Sequence, residues 1–239
     1  MVLPQVLREH HCQFTLMIKA LIFDFDGLIL DTETPELLAW QEIYRDYEQD
    51  LTVQTWGQIV GGSAASDFDP AEHLELLTGG KLDHPQLNNR ARRQRLAQID
   101  RQPLMPGVRD YLDAGKKLEL GLAVASSSPH DWVDGYLKHR GLFHYFDSIK
   151  TSEDVQRTKP EPDLFLAALS ALDVQPGQAV VFEDSPNGVK AAKRAGLFVV
   201  AVPNPLTAQL TFEDEDLRLS SLAEISLPEL IRRAELSTK

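Results

Sequence analysis

Residues 20–32 have the sequence ALIFDFDGLILDT, in which an apolar run passes directly into a segment that carries three aspartates. Residues 20–23 are all apolar, and a continuous run of this kind is typical of a strand that helices cover on both faces. Asp24 and Asp26 follow on one side of the chain, because side chains alternate along a strand. Gly27 then allows the chain to turn away. The stretch predicts a buried strand with two carboxylates at its carboxyl end.

Three further apolar runs predict the rest of a parallel sheet. They cover residues 120–125, 179–182 and 198–201, and helical patterns lie between them. Strands that alternate with helices in this way are typical of βαβ units. We therefore expect an α/β fold, with a Rossmann-like parallel sheet and helices on both of its faces.

A long segment between the first and second predicted strands has a different pattern. Residues 34–104 are mostly helical in pattern and far exceed the length of one crossover connection. We expect a helical cap subdomain over residues 34–104, inserted into an α/β catalytic core of residues 17–33 and 105–239. Residues 1–16 are expected to form a loose tail, since Met17 directly precedes the first strand and is a candidate natural start.

Composition limits the classes of partner. The chain has 239 residues, a formal net charge of -12 and one cysteine. A protein this acidic repels nucleic acid unless it carries a local basic patch, so we expect no nucleic-acid partner. No apolar run reaches the ~20 residues of a membrane span, and one cysteine permits no internal disulfide. We expect a cytoplasmic protein without a membrane partner, with a monomer as the default.

Polar side chains also stand at the ends of the later strands. Ser126 ends the second strand before a helix start at Ser128-Pro129, where hydroxyl and amide groups suit a phosphate. Lys159 precedes a proline in an extended segment and offers a point charge. Glu183 and Asp184 end the third strand and offer the oxygen ligands that magnesium prefers. Ligands bind at the carboxyl edge of such sheets, so these groups are expected to meet the two aspartates there.

Taken in order, these motifs resemble those of the haloacid dehalogenase superfamily, in its phosphatase and phosphomutase branch with a helical cap. The motifs are Asp24-Phe25-Asp26-Gly27 with Asp31-Thr32, then Ala125-Ser126, then Lys159-Pro160, then Glu183-Asp184-Ser185. The resemblance covers about residues 17–236. Any one motif alone is a weak signal, whereas four in this order are specific.

The resemblance implies a reaction and a role for each motif residue. Asp24 would attack phosphorus and form an aspartyl phosphate. Asp26 would protonate the leaving oxygen and then deprotonate the water that clears the intermediate. Ser126 and Lys159 would bind the phosphate oxygens of the substrate. The implied activity is hydrolysis of a small phosphate monoester, such as a sugar phosphate.

The resemblance also implies a magnesium cofactor. Its ligands would be the Asp24 carboxylate, the backbone carbonyl of Asp26, and Asp184. Glu183 is expected either to bind the metal directly or to contact one of the metal ligands and orient it. The cap would close over the site and exclude water.

Other functions on the same fold stay open. In β-phosphoglucomutase a histidine of the first cap helix couples cap closure to the acid/base aspartate, and Glu36 stands at that position here. The mutase also has an arginine in the cap loop, which residues 61–66 lack. Both differences favour a phosphatase over a phosphomutase. A dehalogenase would lack the second aspartate, and a non-catalytic phosphate-binding module is the remaining alternative.

The sequence suggests roles for several further residues that it does not place in the catalytic set. The arginines at 90, 92, 93 and 95 either meet an anionic part of the substrate or form a solvated helix face. Thr32 either acts as a hinge of the cap, contacts the substrate or satisfies backbone groups near its turn. Trp40, Trp56 and Trp132 are predicted to be packing residues.

Overall fold

A computed structural model describes residues 18–57 and 68–237, and the predicted tail at 1–16 and the loop at 61–66 lie outside them. Within the described residues, parallel strands form one six-stranded sheet. In chain order they are β1 (Ala20–Phe23), β2 (Gly121–Ala125), β3 (Ser148–Lys150), β4 (Ala179–Glu183), β5 (Phe198–Ala201) and β6 (Leu217–Arg218). Across the sheet the order is β3-β2-β1-β4-β5-β6, which places β1 between β2 and β4.

The four apolar runs form β1, β2, β4 and β5, which confirms the predicted parallel α/β sheet. The sequence did not predict β3 and β6. These strands lie at the two edges of the sheet, span 3 and 2 residues, and are not fully buried. Strands this short at an edge carry no apolar run, which was the signal used for the others.

Helices connect the strands. Those in the described residues are α1 (Glu33–Asp46), α2 (Val53–Trp56), α3 (Pro70–Thr78), α4 (His84–Ile99), α5 (Val108–Lys117), α6 (His130–His139), α7 (Asp163–Leu172), α8 (Pro186–Arg194) and α9 (Leu227–Ser237). Short 3-10 turns lie at Phe143–Tyr145, Ser152–Asp154, Pro176–Gln178 and Thr207–Gln209. None of the helices described here has the length and apolar content needed to cross a membrane.

Helices cover both faces of the sheet, as expected. Leu21 and Phe23 of β1 enter an apolar core that side chains of α5, α6 and α9 complete. Ala20 and Ile22 point to the other face and enter a second core with α7 and α8. Because both faces are buried, every position of the strand is apolar, and no alternating polar pattern remains in the sequence.

The helices α1 to α4 lie between β1 and α5 in the chain and contribute most of a third apolar cluster. This cluster contains Trp40 and Trp56, which are packing residues as predicted. The two segments that connect these helices to the sheet lie side by side, since Leu30 and Leu104 form an antiparallel bridge. The division into a core and a cap at residues 34–104 stays a prediction.

Candidate active site

Three carboxylates meet at the carboxyl ends of β1 and β4. These strands are neighbours, with Phe23 paired to Phe182, so the residues that follow them lie side by side. Oxygens of Asp24, Glu183 and Asp184 lie within 4.8 Å of one another. All three side chains are buried. The sheet register therefore produces the acidic cluster that the strand-end motifs predicted.

Lys159 neutralises part of this cluster. Its ammonium forms ion pairs with Asp24 Oδ1 and with Glu183 Oε1, the latter at 2.6 Å. The lysine is only 1% exposed. One buried cation beside three buried carboxylates leaves an excess of negative charge when all the groups are ionised. Such an excess is costly in a protein interior unless protons or a further cation compensate it.

The pKa values of the cluster reflect its burial first and then this excess charge. Burial raises the pKa of Asp24 to about 8, with Lys159 acting in the opposite direction and Glu183 and Asp26 adding to the rise. Burial, together with the charges of Asp24 and Glu183, raises the pKa of Asp184 well above its usual range. Burial disfavours the charge of Lys159, but the two carboxylates beside it hold its pKa above the ordinary value.

The site has the donor set that a magnesium ion requires. Oδ2 of Asp184 accepts a hydrogen bond from Asn204 Nδ2 at 2.8 Å. Oδ1 of Asp184 is buried and has no hydrogen-bond partner among the described residues. A buried carboxylate oxygen without a partner, inside a cluster of hard oxygen ligands, fits a divalent cation. The cluster thus fits the predicted cofactor on its own chemistry.

Gly27 gives the cluster the room it needs. Its φ is 81°, a left-handed conformation that a residue with a Cβ rarely adopts. A Cβ at this position would lie 2.2 Å from Asp184 Oδ2. The glycine of the first motif therefore serves both the turn and the close approach of the Asp184 carboxylate.

The Asp26 side chain is held by four donors. Oδ1 accepts hydrogen bonds from Thr32 Oγ1 and Trp132 Nε1, each at 2.8 Å. Oδ2 accepts from Ser128 Oγ at 2.7 Å and from Ser126 Oγ at 3.2 Å. Two elements supply these donors, the turn after β1 and the segment that leads from β2 into α6. The carboxylate is thereby fixed in one orientation beside the acidic cluster.

The structure thus brings all six predicted site residues into two adjoining groups. Asp24, Lys159, Glu183 and Asp184 form the first, which we call the acidic cluster. Asp26 and Ser126 belong to the second, which also contains Thr32, Ser128 and Trp132. Ser126 is buried, and its hydroxyl is directed at the Asp26 carboxylate while it accepts a bond from the backbone N–H of Ser128.

Three residues of this site were not identified from the sequence. The sequence predicts that Ser128 caps a helix, but α6 begins at His130 without a side-chain cap, and the Ser128 hydroxyl donates to Asp26 instead. Trp132 is predicted to be a packing residue, and its indole N–H donates to the same carboxylate. Asn204 is the third. It follows β5 at the same sheet edge as the motif residues, and this position after a strand is the sequence signal that marks it.

The arginine cluster of α4 is not a uniformly solvated face. Arg90 forms ion pairs with Glu42 and Asp46 of α1. Arg95 forms an ion pair with Glu36 of α1 at 2.8 Å, and its guanidinium lies 4.6 Å from the centroid of the Trp132 ring. These two arginines connect α4 to α1, and Arg95 also connects it to the residues around Asp26.

A parallel α/β sheet with these groups at its carboxyl edge defines a class of hydrolase. The model of the haloacid dehalogenase-like hydrolase family matches residues 21–202. The chain therefore belongs to the haloacid dehalogenase-like hydrolases, as its motifs predicted.

Particular relatives narrow the class further. The provisionally named phosphatase YhcW of Bacillus subtilis (strain 168) is 47% identical over 215 residues, which are 90% of this chain and 97% of YhcW. The fructose-1-phosphate phosphatase YqaB of Escherichia coli (strain K12) is 33% identical over 186 residues. This match covers 76% of this chain and 95% of YqaB. A crystal structure of mutant CbbY from Rhodobacter sphaeroides, in complex with xylulose-(1,5)bisphosphate, is 27% identical with a TM-score of 0.68. That match covers 90% of this chain and 99% of CbbY.

Proposed function

We propose that this protein is a magnesium-dependent phosphomonoester hydrolase that forms an aspartyl phosphate on Asp24. The observation that carries the proposal is the joining of two groups at one sheet edge. Asp24 lies in a cluster with a buried lysine and two further carboxylates, and Asp26 lies beside it with four hydrogen-bond donors. The first group suits attack on a phosphate, and the second suits proton transfer.

In the first step, an Asp24 oxygen attacks the phosphorus of the ester. The bond from phosphorus to the leaving oxygen breaks, and that oxygen receives a proton from Asp26. In the second step, water attacks the phosphorus of the aspartyl phosphate, and Asp26 accepts a proton from this water. Inorganic phosphate leaves, and both carboxyl groups return to their starting states.

The positive charges of the site assist the attack on an anion. The ammonium of Lys159 contacts Asp24 directly, so it also lies beside a phosphoryl group bound to that carboxylate and stabilises its charge. Ser126 is the second proposed phosphate-binding residue. Magnesium would be held by Asp24, the backbone carbonyl of Asp26 and Asp184, with Glu183 adjacent, and would supply charge that offsets repulsion between the carboxylate and the phosphate.

The proposed substrate is a small phosphorylated metabolite such as a sugar phosphate. The name of YqaB specifies fructose 1-phosphate, and CbbY was crystallised with a sugar bisphosphate. A net charge of -12 supports the prediction that nucleic acid is not a partner, because the protein repels polyanions. That the protein is a cytoplasmic monomer stays a prediction.

The phosphomutase is the second candidate, because a β-phosphoglucomutase of Bacillus subtilis (strain 168) is 29% identical to this chain over 198 residues. A mutase needs a cation for a second phosphate group on its substrate. Arg95 belongs to the part of the chain that contains α1 to α4 and their connections, which we call the helical segment. Arg95 lies near Asp26, but it already forms an ion pair with Glu36 and stacks on Trp132. Glu36 itself adds a negative charge at this place. These contacts favour the hydrolase over the mutase.

The proposal is tested with a panel of phosphate monoesters, assayed for phosphate release with magnesium and with a chelator. We expect magnesium-dependent release by the wild-type protein and none by Asp24→Asn. Asp50→Asn is the matched control, since Asp50 is exposed on the helical segment and should leave activity unchanged. Conversion of β-glucose 1-phosphate to an isomer without phosphate release would support the mutase instead.

A further inference from the structure

Trp132 makes a contact that its role as a packing residue does not explain. It lies in the first turn of α6 and is half-buried. Its indole Nε1 donates a hydrogen bond to Asp26 Oδ1 at 2.8 Å. An indole N–H can donate but cannot accept a hydrogen bond. Oδ1 is therefore held as an accepting oxygen, while the two serine hydroxyls that face Oδ2 can act either as donors or as acceptors.

The ring of Trp132 is itself held by two further residues. The edge-on ring of Tyr136, one turn along α6, lies 4.8 Å from it between centroids. The guanidinium of Arg95 lies over the ring at 4.6 Å from the centroid. A cation over the face of an indole is attracted to it. The orientation of the indole therefore depends on both its own helix and α4.

The contacts of Arg95 connect this indole to the helical segment. Its Nη1 forms an ion pair with Glu36 Oε2 at 2.8 Å, and Glu36 lies in the first turn of α1. Its Nε is buried and has no hydrogen-bond partner within the described part of the chain. The guanidinium is thus positioned by the Glu36 carboxylate and by the Trp132 ring. A continuous set of contacts runs from α1 through α4 to Trp132 and Asp26.

We propose that Trp132 is a positioning residue for Asp26, and that the Arg95–Glu36 ion pair of the helical segment holds Trp132 in the position that this requires. The proposal rests on the proposed function, in which Asp26 is the general acid. With Oδ1 held by Trp132 and Thr32, Oδ2 is the oxygen that carries the proton to the leaving group.

Leaving-group dependence tests the positioning role. An alkyl phosphate needs a proton on its leaving oxygen, whereas 4-nitrophenolate leaves without one. The change Trp132→Phe keeps an aromatic ring and removes the N–H. We expect it to lower kcat/KM by about tenfold for an alkyl phosphate that the wild-type protein hydrolyses, and by less than about twofold for 4-nitrophenyl phosphate.

Two comparisons control this experiment. Trp56→Phe makes the same chemical change at a buried indole that has no hydrogen-bond partner in the described residues, and it should leave the ratio of the two kcat/KM values unchanged. Arg95→Met removes the charge over the ring and should change the ratio in the same direction as Trp132→Phe, by a smaller factor. Arg95→Lys retains a cation and should restore part of the loss.

The outcomes separate this proposal from the function on which it rests. Equal losses for the two substrates in Trp132→Phe, or no loss for either, would overturn the positioning role and leave the hydrolase intact. Failure of the wild-type protein to hydrolyse any monoester would overturn the proposed function and the positioning role together. If Trp132→Phe loses kcat/KM selectively for the alkyl phosphate and Arg95→Met does not, Trp132 would keep its positioning role. The role assigned to the Arg95–Glu36 ion pair would then be overturned.

Discussion

Replacement of Asp184 by asparagine should stabilise the metal-free protein at neutral pH, although it removes a proposed metal ligand. The acidic cluster has three buried carboxylates and one lysine, so at neutral pH it either takes up protons or bears uncompensated charge. Both costs fall when one carboxylate becomes an amide of the same shape. In the Asp184→Asn protein, the side-chain oxygen at position 184 can still accept the hydrogen bond from Asn204 Nδ2.

The size of the effect follows from the raised pKa of the cluster. Burial raises the pKa of Asp24 from 3.8 to about 8, and that of Asp184 is raised for the same reason. At pH values between the unfolded and the folded pKa, the folded protein binds protons that the unfolded chain has released. The free energy of unfolding therefore falls as pH rises through this range. One such proton corresponds to about 1.4 kcal/mol per pH unit. From pH 5 to 7 this amounts to about 2.7 kcal/mol, or about 5–11 °C in Tm for a chain of this size.

Other shifted carboxyls do not obscure this trend. Hydrogen bonds and nearby cations lower the pKa of Glu229 to about 2, and its contribution to stability is lost only as pH falls below the usual carboxyl range. Burial and the charge of Glu36 raise the pKa of Glu33, so it adds to the wild-type slope. Glu33 is present in both the wild-type and the Asp184→Asn proteins. Its contribution to the pH dependence of stability therefore largely cancels when the two proteins are compared.

The assay is thermal unfolding in chelator at half-unit steps from pH 5 to 8. We expect the Tm of Asp184→Asn to exceed that of the wild-type protein at pH 8 and the difference to shrink towards pH 5. Added magnesium should raise the wild-type Tm, most strongly at high pH, and should have little effect on the variant. A variant that is less stable at every pH, or a difference that does not change with pH, would refute the reasoning.

Three further changes test other parts of the site. Asn204→Asp places another carboxylate beside Asp184 and should lower the Tm of the metal-free protein at pH 8, in contrast to Asp184→Asn, with Asp50→Asn as the control. Lys159→Met removes the cation beside Asp24 and should lower kcat by about 10²–10³ without a matching change in KM, and a parallel change in both would contradict its role in the transition state. Gly27→Ala puts a Cβ against the Asp184 carboxylate and should weaken the magnesium-induced rise in Tm, and an undiminished rise would show that the turn tolerates a side chain.

The sequence was sufficient for those parts of the fold that carry a strong local signal. β1, β2, β4 and β5 are buried on both faces, so each appears as an unbroken apolar run. β3 and β6 lie at the sheet edges and are too short to carry such a run. Their existence depends on pairing with β2 and β5, which is a tertiary effect.

The candidate site divides in the same way. The motif residues were identified because each follows a strand or a helix start, and the parallel sheet then brings these positions to one edge. Ser128 and Trp132 follow β2 closely, but the direction of their side chains depends on where α6 begins. The serine–proline pair indicates a helix cap, and Ser128 instead donates to Asp26. Arg95 is distant from Asp26 in sequence. Only the packing of α4 against α1 and α6 brings it to Trp132.

The aspartyl phosphate on Asp24 is the central claim, and trapping it is the most direct measurement. The Asp26→Asn protein should be mixed with 4-nitrophenyl phosphate and magnesium, quenched in acid and analysed by peptide mass spectrometry. Because this ester needs no acid to leave and the variant lacks the base for the water step, we predict that one phosphoryl group accumulates on the peptide containing Asp24. Phosphate release by the wild-type protein without any phosphorylated peptide in the variant, or with the group on another residue, would contradict the account.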